Sequence, residues 1–409
     1  MLPRSLLLPA ISLTFAAQLT ACASSKGAGN PGTPGLDGSA EDASVGDDGI
    51  IHIGNPDGSI TGFDVTISES STTGDSTTCV NLQCQQHACS GTSTTTISGK
   101  VYDPAGNNPL YNIVVYIPNQ ALSPLPSGAS CDACDALYSG QPIAVGLTDA
   151  TGSFTIPNAP DGDNIPLVVQ VGKWRKQYAI SHVNACTDNP QADKSLRLPK
   201  SHTDGDPTST NIPNIAISTG ALDTLECLLS RIGLEGTEYV GGATGSGRIH
   251  IFAGGDSSGP FGSGSPNTSP AGPDSTKALW TSKASLMPYD VVLLSCEGDE
   301  TFGMNQQALH DYASAGGRVF ASHFHYAWFN TGPYGSENLA TWSTGTNSMN
   351  NISAIVDTTF PKGAALKQWL GVVGALSGGE LPIQDAKHNA DVSPSNKSSQ
   401  SWIISDSSA

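Results

Sequence analysis

The chain has 409 residues, with 18 Lys or Arg against 36 Asp or Glu and a formal charge of −18. That excess of acid excludes a nucleic-acid surface and an electrostatic hold on anionic lipid, because both draw on clustered cations. Gly (46) and Pro (27) together stay below the roughly 25 to 30% that marks wholly disordered chains, and the length leaves room for two modest domains and a linker.

Residues 1–21 carry one cation, Arg4, then an apolar run over 6–17, then small residues. This is the layout of a secretory signal peptide. The run is too short to span a bilayer, which takes about 20 apolar residues. Leu19, Thr20, Ala21 and Cys22 resemble the lipobox of bacterial lipoproteins. The resemblance implies cleavage before Cys22, lipidation of Cys22 and attachment to the membrane at the cell envelope. Ala23 and Ser24 follow, with no Asp after the Cys, which under the enteric sorting rule implies the outer membrane. Acyl chains contribute about 0.8 kcal/mol per buried methylene, enough to hold an acidic protein without help from charge.

Residues 22–92 read as an acidic Gly/Ser/Thr-rich tether ending in a cysteine cluster. No Lys or Arg stands between Lys26 and Lys100, yet nine acids do, from Asp37 to Asp75. Half of the net charge therefore sits in one low-complexity stretch, which is expected to be extended and self-repelling. Asn55, Asp57, Ser59, Thr61 and Asp64 around Gly58 match a calcium loop only in part, lacking the acid at its twelfth position, and read as solvated linker.

Beyond Cys22 there are eight cysteines, and an even number in an exported chain favours disulfides. Six of them, Cys79, Cys84, Cys89, Cys131, Cys134 and Cys186, are the disulfide candidates that would staple the first domain; their pairing is left open by the sequence. Cys131 and Cys134 have the spacing of a redox pair, but a Pro- and Ser-rich loop precedes them where such a motif has a strand. A structural bridge is expected there in preference to zinc or redox chemistry.

Residues 93–200 read as a small β-sandwich. Strand-like runs fall at 94–102, at 113–117, where every residue is β-branched or Tyr, at 143–148, at 153–156 and at 167–171, with a turn at 149–152. Gly99, Lys100, Val101, Tyr102, Asp103 and Gly106, then the strand 112–117, then Thr148, Asp149, Gly152 and Phe154, then Pro160 and Gly162 resemble the carboxypeptidase regulatory-like domain. That family has a transthyretin-like fold shared with carbohydrate-binding modules, and its members usually serve as accessory units. Trp174, Arg175 and Tyr178 stand beyond the last clear strand, where aromatics could either stack on sugar or pack into the rim.

Residues 208–409 read as an α/β domain. The run 211–217 is followed by Ser218 and Thr219 as caps and by an amphipathic helix over 221–232. The run 289–295 (YDVVLLS) is an apolar strand of the kind buried on both faces. A helix over 305–314, a stop at Gly316 and Gly317, and a strand at 318–322 follow. These segments resemble the class I glutamine amidotransferase-like fold, a flavodoxin-like open sheet. A further strand at 352–360, a helix at 364–373 and an unfinished strand at 402–409 suggest that the sheet is incomplete at its C-terminus.

In such a sheet the carboxyl ends of the strands line a crevice. Ser218, Thr219, Gly220, Ser295, Cys296, Glu297, Ser322, His323 and His325 would gather there. Three uses compete. In a nucleophilic one, the resemblance places Ser322 on the elbow with His323 beside it, and Cys296 and Glu297 nearby. The amidotransferase Cys is absent, however, and Phe320 and Phe324 crowd the position. In a metal one, His323 and His325 alternate along an extended segment, with Glu297 or Asp299 completing the set. In the third, the histidines pack against Tyr326, Trp328 and Phe329 and no chemistry occurs.

The third is preferred. No cofactor is implied. The chain is expected to be a membrane-anchored exported lipoprotein with a binding or structural role at the envelope. Its partners would be the membrane through the lipid and carbohydrate or an envelope protein, not nucleic acid. The competing expectation is an amidotransferase-like hydrolase using Ser322 or Cys296 with His323.

Overall fold

The computed structural model describes residues 50–51, 65–66, 79–130, 138–220, 222–254, 276–296, 298, 300, 304–345 and 347–405. The expectations for Cys22, Cys131, Cys134, Glu297, Asp299 and the 55–64 loop lie outside these residues. Strands Ile50–Ile51 (β1) and Val65–Thr66 (β2) pair antiparallel. A short 3-10 helix, Asn81–Gln85, is closed by the Cys79–Cys84 disulfide, and a second bridge joins Cys89 to Cys186.

Eight strands follow: β3 (Thr96–Tyr102), β4 (Val114–Pro118), β5 (Pro142–Leu147), β6 (Ser153–Ile156), β7 (Gly162–Val171), β8 (Trp174–Val183), β9 (Asp188–Pro190) and β10 (Leu196–Arg197). One sheet is antiparallel with the order β5-β4-β7-β8; in the other, β3 pairs with β6, β9 and β10. Both contribute to a single apolar core, Ile97 and Phe154 from one sheet meeting Val115, Ile117 and Leu167 from the other. The β4 run is buried along its whole length because its second face, Val114 and Tyr116, is covered by Leu122 and Tyr138 from the long β4–β5 connection. Asp149 ties the β5–β6 turn by accepting from the amides of Thr151 and Ser153 at 2.8 and 3.0 Å. Gly152 has φ +76°, and a Cβ there would lie 2.7 Å from the Pro109 side chain, so glycine is required.

Trp174, Arg175 and Tyr178 do not lie beyond the last strand as expected but within β8. Trp174 donates to the Pro199 carbonyl at 3.0 Å, and Tyr178 packs on the core with its hydroxyl on Arg197 O. Burial pushes the Tyr178 phenol up to about 12. Both rings are partly buried and pack against the core.

The next unit holds five parallel strands, β11 (Ile215–Ser218), β12 (Tyr239–Gly241), β13 (Ile249–Phe252), β14 (Val291–Leu294) and β15 (Arg318–Ala321), in the order β12-β13-β11-β14-β15. Helices α1 (Leu225–Arg231), α2 (Thr276–Leu279), α3 (Lys283–Leu286) and α4 (Gln306–Ser314) accompany them. Ile215 and Ile217 pack with Leu229 on one face of the sheet, and Ala216, Val292 and Leu294 with Trp280, Leu309 and Trp328 on the other. Burial on both faces is why these strands are short and continuously apolar. Helix α4 begins at an Asn305 side-chain cap and stops at Gly316, φ +95°, as the sequence predicts.

Helix α1 starts later than expected and is not capped by Ser218 or Thr219. Ser218 stays in β11, and Thr219 bonds the Phe252 carbonyl through its amide at 2.9 Å. The C-terminal strands do not extend the parallel sheet. Strand β17 (Ser348–Val356) pairs antiparallel with β18 (Leu381–Lys387) and β20 (Ile403–Ser405), while β16 (Thr341–Trp342) pairs with β19 (Ala390–Asp391). Helix α5 (Pro361–Val372) reaches back to the first sheets, Trp369 Nε1 donating to Pro109 O at 2.7 Å. Among the described residues no sheet closes into a barrel, and no helix is long and apolar enough to cross a membrane.

Candidate functional site

The chain leaves β11 on one side for β12 and β13 and then crosses to β14 and β15 on the other. Beside β11 the order therefore reverses, the place where an open parallel sheet forms a crevice at its carboxyl strand ends. Backbone bonds lock the strand ends together, Ser295 N to Ser218 O at 3.1 Å and Ser322 N to Leu294 O at 3.2 Å.

The turn after β11 crosses directly over the end of β14. Leu222 N donates to Cys296 O at 3.3 Å, and a Cβ on Gly220 would lie 2.0 Å from that oxygen. The turn also delivers Asp223, whose Oδ2 accepts from Ser322 Oγ at 2.5 Å. The Ser322 oxygen in turn accepts from Cys296 N at 3.2 Å. A hydroxyl has one proton, and here it goes to a carboxylate. Ser322 is therefore not poised against His323.

Ser322 itself has ordinary extended backbone angles, φ −111° and ψ 152°. The residue in the left-handed region is His323, φ +49°, a conformation that costs on the order of 1 kcal/mol outside glycine. The elbow position expected for Ser322 thus belongs to His323. The cause is local: the chain turns from β15 at once into a 3-10 helix, His323–Trp328. The extended segment expected for His323 and His325 is likewise replaced by this helix.

His323 Nδ1 lies 2.8 Å from Cys296 Sγ, and Cys296 is fully buried. Burial pushes the His323 imidazole below its ordinary value; Asp223 opposes this and Lys387 reinforces it. His323 Nε2 is buried without a hydrogen-bond partner among the described residues, so nothing there orients the ring as a third member orients a catalytic base.

His325 is buried, and both of its ring nitrogens are occupied. Nε2 meets Ser295 O at 2.7 Å, and Nδ1 accepts from Trp328 Nε1 at 3.0 Å. Such a ring has no lone pair left for a cation, which corrects the expectation of a His323 and His325 metal pair. Among the described residues no three His, Cys, Asp or Glu side chains gather at ligating distances. His325 thus packs against Trp328 and bonds to it.

His325 carries a pH signature. Burial holds its imidazole down to about 4, against about 6.5 when exposed. As pH falls the unfolded chain takes the proton first, so the stability from neutral His325 is complete above about 6.5 and is lost between about 6.5 and 4, by about 3 kcal/mol. Urea unfolding of the native chain at pH 7 and pH 4.5 is expected to show a steeper loss than in His325→Gln. Parallel losses would remove His325 as the cause.

Sequence reasoning found Ser322, His323 and Cys296, which the structure brings together, but missed Asp223 and Lys387. Asp223 looked like part of a helix; its signal was its place in the turn that follows a strand end. Lys387 stands on β18, in a sheet whose position no local pattern announces. No family model matches the chain, and comparison with curated proteins finds no relative.

Proposed function

We propose that this is an exported lipoprotein, held at the cell envelope by lipid on Cys22, whose domains bind or display rather than catalyse. The outer membrane is its proposed location, and carbohydrate or an envelope protein its proposed partner class. In this reading residues 93–200 form a transthyretin-like β-sandwich of the carboxypeptidase regulatory-like kind. Two sheets sharing one core support that assignment. Residues from 208 onward form a domain of the class I glutamine amidotransferase-like kind. Setting aside the three-residue edge strand β12, the order β13-β11-β14-β15 is the 2-1-3-4 order of flavodoxin-like sheets.

The observation that carries the non-catalytic part is the closed strand end. Cys296 is buried under the turn through Gly220, the Ser322 proton is committed to Asp223, and the elbow carries histidine. The anchoring part rests on Leu19, Thr20, Ala21 and Cys22. Fractionation of cells expressing Cys22→Ser tests it: the variant is expected in the soluble fraction, and its retention in membranes equal to the native chain would contradict the anchor.

One observation favours a second reading, a thiol hydrolase: the 2.8 Å approach of His323 Nδ1 to Cys296 Sγ. A panel of esters and amides incubated with the native chain and with Cys296→Ala separates the two. Turnover is expected from neither, whereas native turnover abolished in Cys296→Ala would establish the hydrolase.

A further inference from the structure

A cavity of about 380 Å³ lies between β13 and the helices α2 and α3, on the amino side of the sheet and away from Cys296 and His323. Its volume falls within the range of small-molecule sites, about 300 to 1,000 Å³. Its lining includes the apolar side chains of Phe252, Leu279 and Tyr289 together with Arg248 and His250. Among the described residues no acidic one lines the cavity, although the chain carries twice as many acids as Lys and Arg.

Arg248 has donor capacity to spare, and His250 has one ring nitrogen unengaged. His250 is 8% exposed, and its Nδ1 donates to Gly242 O at 2.8 Å. Its Nε2 has no partner among the described residues, and the ring is held edge-on to Tyr289 at 5.2 Å. Arg248 gives one Nη1 proton to Asn214 Oδ1 at 3.0 Å, and its Nε is buried with no partner. The nearby carboxylate of Glu238 is taken by His202 and by the Arg248 backbone amide. The guanidinium therefore faces the cavity without a carboxylate to pair with among the described residues. A half-buried guanidinium is matched by a planar or tetrahedral oxyanion.

We propose that this cavity binds a small organic anion, its carboxylate or phosphate on Arg248 and its apolar body against Phe252, Leu279 and Tyr289. The site stands on the cavity alone and is independent of the lipid anchor and of the strand-end thiol.

Calorimetric titration of the full chain with phenyl phosphate, phenylacetate and benzyl alcohol tests it. One or both anions are expected to bind at least ten-fold tighter than the neutral alcohol, and the stronger one identifies the oxyanion. Arg248→Met is expected to weaken that anion at least ten-fold, and Arg248→Lys to keep part of the affinity. Failure of both anions to bind, equal binding of benzyl alcohol, or unchanged binding by folded Arg248→Met would overturn the proposal. Should Arg248→Met fail to fold, Ala278→Trp replaces it. Ala278 is exposed at the cavity, and its indole is expected to block the mouth and abolish anion binding; undiminished binding would equally overturn the site.

Discussion

Removing the Cys89–Cys186 bridge by Cys89→Ser and Cys186→Ser is expected to be the most destabilising change at any cysteine. The bridge closes a loop of 97 residues that contains β3 to β8. Cross-linking a loop of about 100 residues restricts the unfolded chain by about 4.7 kcal/mol on the chain-entropy account. The Cys79–Cys84 bridge closes only 5 residues, for which the same relation gives about 2 kcal/mol. The long bridge also pins the 3-10 segment to the sheets, where Gln86 Nε2 donates to the carbonyls of Ile143 and Asn158. Guanidinium unfolding of the two double variants should rank them in that order, with the melting temperature of the long-bridge variant down by roughly 10 °C or more. An equal or reversed ranking would show that native-state packing, not loop closure, sets the effect.

Lys173→Met is expected to cost about 3 to 5 kcal/mol, the usual penalty for leaving one member of a buried ion pair alone. Lys173 sits at the tip of the β7–β8 hairpin and meets Asp290 Oδ1 at 2.7 Å, with both side chains 7% exposed. The ammonium also donates to Gly128 O, while Asp290 Oδ2 accepts from Asn214 N at 2.8 Å. The tip of the first unit is thus inserted at the base of β14. Methionine leaves the carboxylate with one neutral donor and no counter-charge. Thermal unfolding should therefore fall sharply for Lys173→Met and recover in part when Asp290→Asn is added, because the stranded charge is then removed. A loss below about 1 kcal/mol in the single variant would mean that water reaches Asp290 and screens it.

Those two sites also show what the sequence makes legible. The β4 and β14 runs could be read because consecutive β-branched or aliphatic residues have few other uses, and α4 because Asn305 and Gly316 mark its ends. Strand β8 was missed because its Trp, Arg, Lys and Gln look like a surface. Arg175 is nevertheless 1% exposed, its Nη2 donating to the carbonyls of Ser123 and Thr208 at 3.0 and 3.1 Å. Partners that distant in sequence leave no local pattern.

The strand-end residues were legible for a topological reason: parallel strands deliver whatever follows them to one edge of the sheet. Their conformations were not. His323, Phe324, His325 and Tyr326 alternate like a strand, yet they wind into a 3-10 helix in which every side chain from Phe324 to Trp328 is buried. The commitment of Ser322 to Asp223 arises from a contact spanning 99 residues.

The most direct measurement of the proposed lipid anchor is the intact mass of the chain purified from cells expressing it. Lipidation at Cys22 predicts that residues 1–21 are gone and that the new N-terminal cysteine carries the added mass of a diacylglyceryl group. A mature chain that begins elsewhere, or one that begins at Cys22 without lipid, would contradict it.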